Sequence, residues 1–470
     1  MTNKDIATNI KNIAEQSHSR SRAGLYKTVW PLEHADTWRT QTSPVGGLPA
    51  GFSAKALHAT SIKLDQPIVG YTREQREVFV MGGMPFLMNT YTQDIMNNST
   101  AGAQFTLEAA LTNLKHTPYV AKIDPVTLEH VILPLTQGQS VNYPGGMLMH
   151  ENGFVYAVAQ GVLYKIAPDT MQIVRSTPLP LVGQGIEQEL TAYNGLQVLS
   201  NGLLVTKCFV AKSNPDQGWL LKIDPDNLSL KAAQLVNIQS ARLMLDQPEP
   251  GVAYAYAPTL EQSRRFRIVE EGFVLDEPWS AYYRRPNTTW ANGTLFMKNH
   301  VVFPDNSAPG ANTPMHIYLH PVNNPPAQLE PHNAVSASLE GINFWKVLGD
   351  PYSNAEHGTI VTFVPMNSLI SAYRLGADGS LKQLWERSYM VSASPAIVTS
   401  TDHLYINDYR DGHDHFVVLR LSTGEELARV ALPAVEPTMG IIFPGMNNDA
   451  YLLSTETGCA TGFFNRIYVG

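Results

Sequence analysis

The chain has 470 residues, 44% apolar and only 16% charged, so it can bury a large core and carries no compositional case for disorder. Acidic residues outnumber basic ones, 41 to 33, for a net charge of −8; a chain of that sign lacks the basic face that neutralises nucleic-acid phosphates or docks on an anionic membrane. No apolar run reaches the roughly 18 residues of a membrane-spanning helix, and two cysteines, Cys208 and Cys459, exclude a disulfide framework or a cysteine-built zinc cluster.

Residues 1–57 read as a helical or irregular arm. Ile6, Ile10 and Ile13 stand at helical spacing, with no apolar stretch or small-residue cleavage site of a signal peptide, so the expected location is cytoplasmic. The segment Glu33-His34-Ala35-Asp36-Thr37-Trp38-Arg39 is rich in reactive side chains for a leader. It suits either a salt-bridged clasp or a contribution to a pocket. Residues 58–470 form the main domain, and Ala59–Asp65 reads as a strand. An insertion at about 84–118 contains a helical stretch, Thr106 to His116, that serves as a lid or as a structural element.

From Tyr119 onward one unit recurs. Tyr119–Leu128, Leu163–Met171, Leu220–Leu228, Ser371–Leu381 and Val418–Leu427 each place a tight turn of Asp, Pro, Asn, Thr or Gly between two short strands. Upstream of several lies a second hairpin, as in Gly146–Val158 and Leu196–Thr206, where Asn-Gly separates apolar runs. Degenerate copies fit at Phe266–Leu275 and around His316–Pro321, and a half-copy ends the chain at Asn465–Val469. Four antiparallel strands in about 50 residues make a propeller blade. The expected fold is therefore all-β, a single eight-bladed propeller of four-stranded antiparallel blades; seven blades follow if one degenerate copy is false. The last blade has three strands of its own, and the Ala59–Asp65 strand is expected to supply the fourth and close the ring.

The segment Leu419 to Arg429, with its Ser-Thr-Gly turn before a charged strand, resembles the hairpin of the PQQ-like (quinoprotein dehydrogenase-like) propellers. That resemblance implies eight blades. A quinone-dependent member is expected to show adjacent cysteines and a tryptophan platform for the flat cofactor. Cys208 and Cys459 are not adjacent, and no blade is expected to carry the docking tryptophan. PQQ, NAD and haem are accordingly not expected.

In a propeller the links between strands two and three and between blades share one face, and here those links are long and rich in polar side chains. Tyr143, Glu189, Tyr282 and His332 are the candidate acid–base groups there. Arg242, Arg284, Arg285, Trp290, Lys207 and Arg410 are candidates for gripping a ligand, with guanidinium forks on oxygens and an aromatic wall. Tyr143 or Tyr282 beside Arg242 could abstract a proton, the cation lowering the phenol pKa. Asp305, Asn306, Asp408 and Glu456 could converge on a divalent cation such as Ca²⁺. The expected function is an enzyme acting on a small polar or carboxylated molecule in the axial pocket, hydrolytic or eliminative. The alternatives are a non-catalytic ring presenting its long-loop face to a protein partner, and a quinone-dependent oxidoreductase. Oligomeric state is not legible.

Overall fold

The repeated turns form because their side chains close them. In a computed structural model, Asp124 Oδ1 accepts the backbone N–H groups of Val126 (2.9 Å) and Thr127 (3.2 Å), and Leu128 takes a left-handed φ of 64°. Asp224 repeats the arrangement one blade pair later, accepting from Asp226 (2.8 Å) and Asn227 (3.4 Å), with Leu228 at φ 59°. The structure describes residues 20–83, 116–141, 146–210, 217–237, 242–259, 261–283, 285, 288–289, 295–307, 316–332, 346–350, 358–364, 368–456 and 461–470. The expected helices near the start of the chain and within Thr106 to Lys115 lie outside them.

Among the described residues the strands make eight antiparallel blades in chain order, beside a two-stranded sheet of Thr288–Thr289 and Asn306–Ser307. The innermost strands of blades 1 to 4 are Val69–Thr72, Met147–Met149, Thr191–Val198 and Met244–Glu249. Those of blades 5 to 7 are Leu295–Met297, Lys346–Asp350 and Ala396–Val398, and blade 8 begins with Thr438–Met439 and Ile442–Pro444. Seven of these sheets have four strands of a blade in full. Blade 5 has three (Leu295–Met297, His300–Pro304 and Ile317–Pro321), with a single bridge from Ile317 to His332 at its outer edge. The strand Leu57–Asp65 runs antiparallel to Thr461–Val469, from the Leu57–Val469 pair to Asp65–Thr461, and is the outermost strand of blade 8. Eight blades, not seven, is the count.

Apolar layers fill the spaces between neighbouring sheets. Leu163, Val158 and Leu204 pack between blades 2 and 3, Val205, Leu245 and Ala255 between 3 and 4, and Leu404, Val361 and Trp385 between 6 and 7. Trp385 corrects an expectation. Its ring lies against Gly424 of the next blade and its Nε1 donates to the Leu421 carbonyl at 2.7 Å, so a docking tryptophan does join blades 6 and 7. Its partner glycine sits in the Leu419–Arg429 hairpin.

The arm does not lie on a face of the ring; it fills the axis. Residues 20–48 run along the inner strands and hydrogen-bond to blade after blade. Thr72 of blade 1 donates to the Trp30 carbonyl (3.0 Å) and Met149 of blade 2 to Pro31 (2.9 Å). Leu245 of blade 4 donates to Thr37 (3.0 Å), Phe296 of blade 5 to Trp38 (3.0 Å) and Gly349 of blade 6 to Thr40 (3.1 Å). Thr42–Ser43 pairs in parallel with Ile397 and Val398 of blade 7, and Gly47 donates to Gly445 of blade 8 at 2.9 Å. Gly24 packs against Leu199 of blade 3 with no room for a side chain. Ser21, Asp36, Thr37, Thr40, Thr42 and Ser43 are all fully buried, and Asp36 accepts from Ser21, Thr40 Oγ1 and the Thr40 backbone, which pins the turn of the arm.

Candidate functional site

Where the arm meets blades 3 and 4, charged side chains collect. Glu33 is buried at the axis. Arg242 Nη1 stands 2.9 Å from Glu33 Oε1, Arg39 Nη1 3.5 Å from Oε2, and His34 Nε2 3.5 Å from Oε1. Burial alone would raise the Glu33 pKa, but the charge of Arg242, a hydrogen bond from His34 and the charge of Arg39 hold its carboxyl well below the usual range, so it is ionised. His34 is pushed down to about 3 by burial and by Arg39, and stays neutral. Tyr71, on the inner strand of blade 1, is fully buried, and its hydroxyl has no hydrogen-bond partner among the described residues. Burial and the Glu33 charge raise its pKa well above the ordinary value, so it is a proton donor rather than a base.

Lys207 reaches this cluster because of strand alternation. On the second strand of blade 3, Leu204, Cys208 and Val210 face blade 2, whereas Val205 and Lys207 lie on the surface turned to blade 4, where Arg242 leads into the inner strand. Beside it the inner strand of blade 3 shifts register between Tyr193 and Leu196, with Gly195 in the left-handed region at φ 89°. A Cβ on Gly195 would come within 3.7 Å of the Arg242 side chain, so the bulge brings backbone close to that guanidinium stem. Only 1% of Lys207 is exposed. Burial first, then Arg242 and Arg39, lower its pKa to about 7, despite an opposing effect of Cys208. Among the described residues, the guanidiniums of Arg242 and Arg39 thus face the Glu33 carboxylate and also act on Lys207.

Of the residues expected from sequence, Lys207 and Arg242 come together here. The other expected residues whose side chains are described do not join them. Arg285 donates to Asp305 at 2.7 Å and to Tyr318 at 3.0 Å in blade 5, and Asp305 also accepts the His316 backbone N–H at 2.7 Å. Asp408 is buried in blade 7, where Arg429 (3.2 Å), Arg410 (3.3 Å) and the Met390 backbone N–H (2.9 Å) engage it. Asp305 and Asp408 are thus each held by arginines in separate blades, and among the described residues no three His, Cys, Asp or Glu side chains group as a metal site would require. Tyr282 is exposed and pairs through its backbone with Ala327 and Leu329, away from Arg242. Among the described residues, Tyr71 is a tyrosine within electrostatic reach of Arg242. His332 is half-buried at the outer edge of blade 5, its pKa lowered by burial and by His300. Glu189 is exposed on the link into blade 3, where its carbonyl accepts from Val141 at 2.7 Å. Tyr143, Arg284 and Trp290, and the side chains of Asn306 and Glu456, lie outside the described residues.

The sequence reading missed Tyr71, whose short inner strand gave no signal beyond a tyrosine among apolar neighbours. It flagged Glu33, His34 and Arg39 without fixing their place.

Fold and axis define an eight-bladed β-propeller whose inner strands are threaded by the 20–48 segment of the same chain. The chain is similar to quinohemoprotein alcohol dehydrogenase from Comamonas testosteroni, with a TM-score of 0.58 and 11% identity over 99% of this chain and 84% of that one. It is likewise similar to a quinohemoprotein alcohol dehydrogenase from Pseudomonas putida HK5, at 0.57 and 11% identity over 94% of this chain and 80% of that one. At that identity the likeness is one of fold. No protein-family profile and no curated protein matches the sequence. Both of those proteins are named for a quinone and a haem, groups not expected in this chain. Cys208 faces blade 2, buried beside Tyr193, with no second cysteine adjacent in sequence. Trp30 and Trp38 of the arm are packed on Phe443 and Phe296. These residues do not make the cysteine pair and open tryptophan platform that a quinone site would need.

Proposed function

We propose that this chain is an enzyme acting on a small carboxylated molecule at the axial cluster, of the hydrolase or lyase type. One observation carries the reading: two guanidiniums, Arg242 and Arg39, stand 2.9 Å and 3.5 Å from one buried carboxylate, Glu33. Guanidiniums gathered in a low-dielectric site favour an anionic ligand. Arg242, with 20% of its side chain exposed, is the solvent-facing member, and a guanidinium fork suits a carboxylate. Tyr71 is a donor, and Lys207 can give or take a proton near neutral pH, which acid–base chemistry requires.

Titration calorimetry with lactate, succinate and uncharged analogues of the same size tests the reading. Saturable binding of the carboxylates alone, lost in Arg242→Ala, is the expected result. A folded protein that takes none of them would overturn it in favour of a ring that presents its face to a protein partner.

A further inference from the structure

Three lysines occupy one place in the repeat. Lys122-Ile-Asp-Pro125, Lys165-Ile-Ala-Pro168 and Lys222-Ile-Asp-Pro225 each leave the third strand of a blade and enter the turn to the fourth. Each lysine reaches into the blade that follows. Lys122 Nζ donates to the Pro168 carbonyl and Lys165 Nζ to the Pro225 carbonyl, both at 3.1 Å. Lys222 Nζ donates to the Val269 and Glu270 carbonyls at 2.6 Å. Blade 4 reads Arg267-Ile-Val-Glu270 at this place. In all three cases, therefore, the fourth residue of the next copy accepts from the first residue of the one before. That carbonyl lies in the turn, beyond the last pair of its own strand ladder, and so needs a donor from elsewhere. An aromatic side chain opposite the lysine on the second strand lines the stem in two blades. Phe79 faces Lys122 and Tyr156 faces Lys165, with ring centroids 5.9 and 5.8 Å from Nζ. Tyr156 also donates its hydroxyl to the Pro225 carbonyl, at 2.8 Å.

We propose that Lys122, Lys165 and Lys222 form a one-way latch, each setting the stability of the next blade's turn rather than of its own. The turns of blades 1 and 3 are closed from within by Asp124 and Asp224, so the lysine's bond is the contact that crosses between blades. A donor that carries charge makes this a strong bond for a carbonyl. In a repeat fold, stability is a sum of units and of contacts between neighbours, and these contacts point along the chain from blade 1 to blade 4. Blade 7 is held at the matching point by a different donor. Arg387, on the outer strand of blade 6, donates to the carbonyls of Thr423 (2.9 Å) and Gly424 (3.1 Å). Thr423 is the fourth residue of Arg420-Leu-Ser-Thr423. The acceptor place recurs while the donor changes, which marks the turn carbonyl as the point by which a blade is gripped. The latch is independent of the axial cluster.

Native-state hydrogen exchange of the full chain, read amide by amide, tests it. Lys222→Met keeps an unbranched side chain and removes the donor. The Val269 amide of blade 4, bonded to the Gly272 carbonyl at 2.9 Å, should exchange roughly tenfold faster in that variant. The Leu228 amide, in the turn of Lys222's own blade and bonded to the Asp224 carbonyl at 2.9 Å, should change by less than about twofold. Lys222→Arg, which keeps a charged donor, should restore most of the protection at Val269. Equal acceleration at both amides, or none at Val269, would overturn the latch. Should Lys222→Met not fold, Lys122→Met decides, although that amine also pairs with Glu77 at 2.6 Å. The Met171 amide of blade 2 should then accelerate and the Leu128 amide of blade 1 should not, and the reverse pattern would refute the proposal.

Discussion

Arg242, leading into blade 4, and Glu33, in the arm, form a 2.9 Å ion pair that ties the N-terminal segment to the ring at its axis. The Glu33 side chain is 5% exposed and also faces Arg39 and His34, so this one carboxylate offsets the charges of two arginines. Structural and functional demands therefore meet on the same atoms: the arm stays in the channel partly through the group that would neutralise an incoming anion's partners.

Glu33→Gln should consequently destabilise the protein. Breaking a buried pair by removing one partner leaves an uncompensated charge and costs about 3–5 kcal/mol. Urea unfolding should show a lower midpoint with an unchanged slope. Chloride or lactate should recover part of the loss by supplying the missing negative charge. A midpoint equal to that of the natural protein would mean that the arm does not depend on this contact.

The arm's course explains what the sequence could and could not reveal. Blades were legible because each turn carries its own chemistry, as Asp124 and Asp224 show. The arm meets most blades through a single backbone hydrogen bond, and such contacts leave no periodicity to read. Lys207 and Arg242 were legible because the order of strands and links decides which face a residue occupies. That order does not fix distance from the axis. Tyr282 and His332 belong to the expected links, yet one pairs along the third strand of blade 4 and the other along the outer edge of blade 5. Trp385 escaped notice because it sits in blade 6 while the glycine it covers belongs to blade 7.

That blade contact gives a second prediction. Trp385→Phe keeps most of the ring's packing but loses the hydrogen bond to Leu421, for a cost of about 1 kcal/mol. Trp385→Ala opens a cavity over Gly424 and should cost about 3–5 kcal/mol. Chemical denaturation of the two variants measures the difference. Equal losses would show that the hydrogen bond, not the packing, joins these blades.

Asp414 makes a third case, at the junction of blades 7 and 8. It accepts from Thr438 Oγ1, from Asn407 Nδ2 at 3.0 Å and from the His415 backbone N–H at 3.0 Å, and is fully buried. Burial pushes its pKa up to about 7, against the effect of those donors. A carboxyl whose folded pKa exceeds its unfolded one holds its proton better when folded. Its contribution is therefore fully favourable below about pH 4 and is lost as pH rises to 7. Asp414→Asn should flatten that fall, by about 4 kcal/mol at most across the window. Denaturation midpoints at pH 4, 5.5 and 7 for both proteins supply the comparison, and parallel curves would refute it.

Lys207 runs in the opposite sense. Its folded pKa, near 7, lies below the ordinary 10.5, so between those values the unfolded chain binds the extra proton and stability rises with pH. At pH 6 the folded protein carries the full cost of a buried ammonium beside two guanidiniums. Lys207→Met keeps an unbranched side chain of similar length and removes the charge. The variant should be more stable than the natural protein at pH 6 by a few kcal/mol, about 5 at most, with the gap closing toward pH 10. If the variant is instead less stable at pH 6, a partner of the ammonium outweighs the cost of burying it.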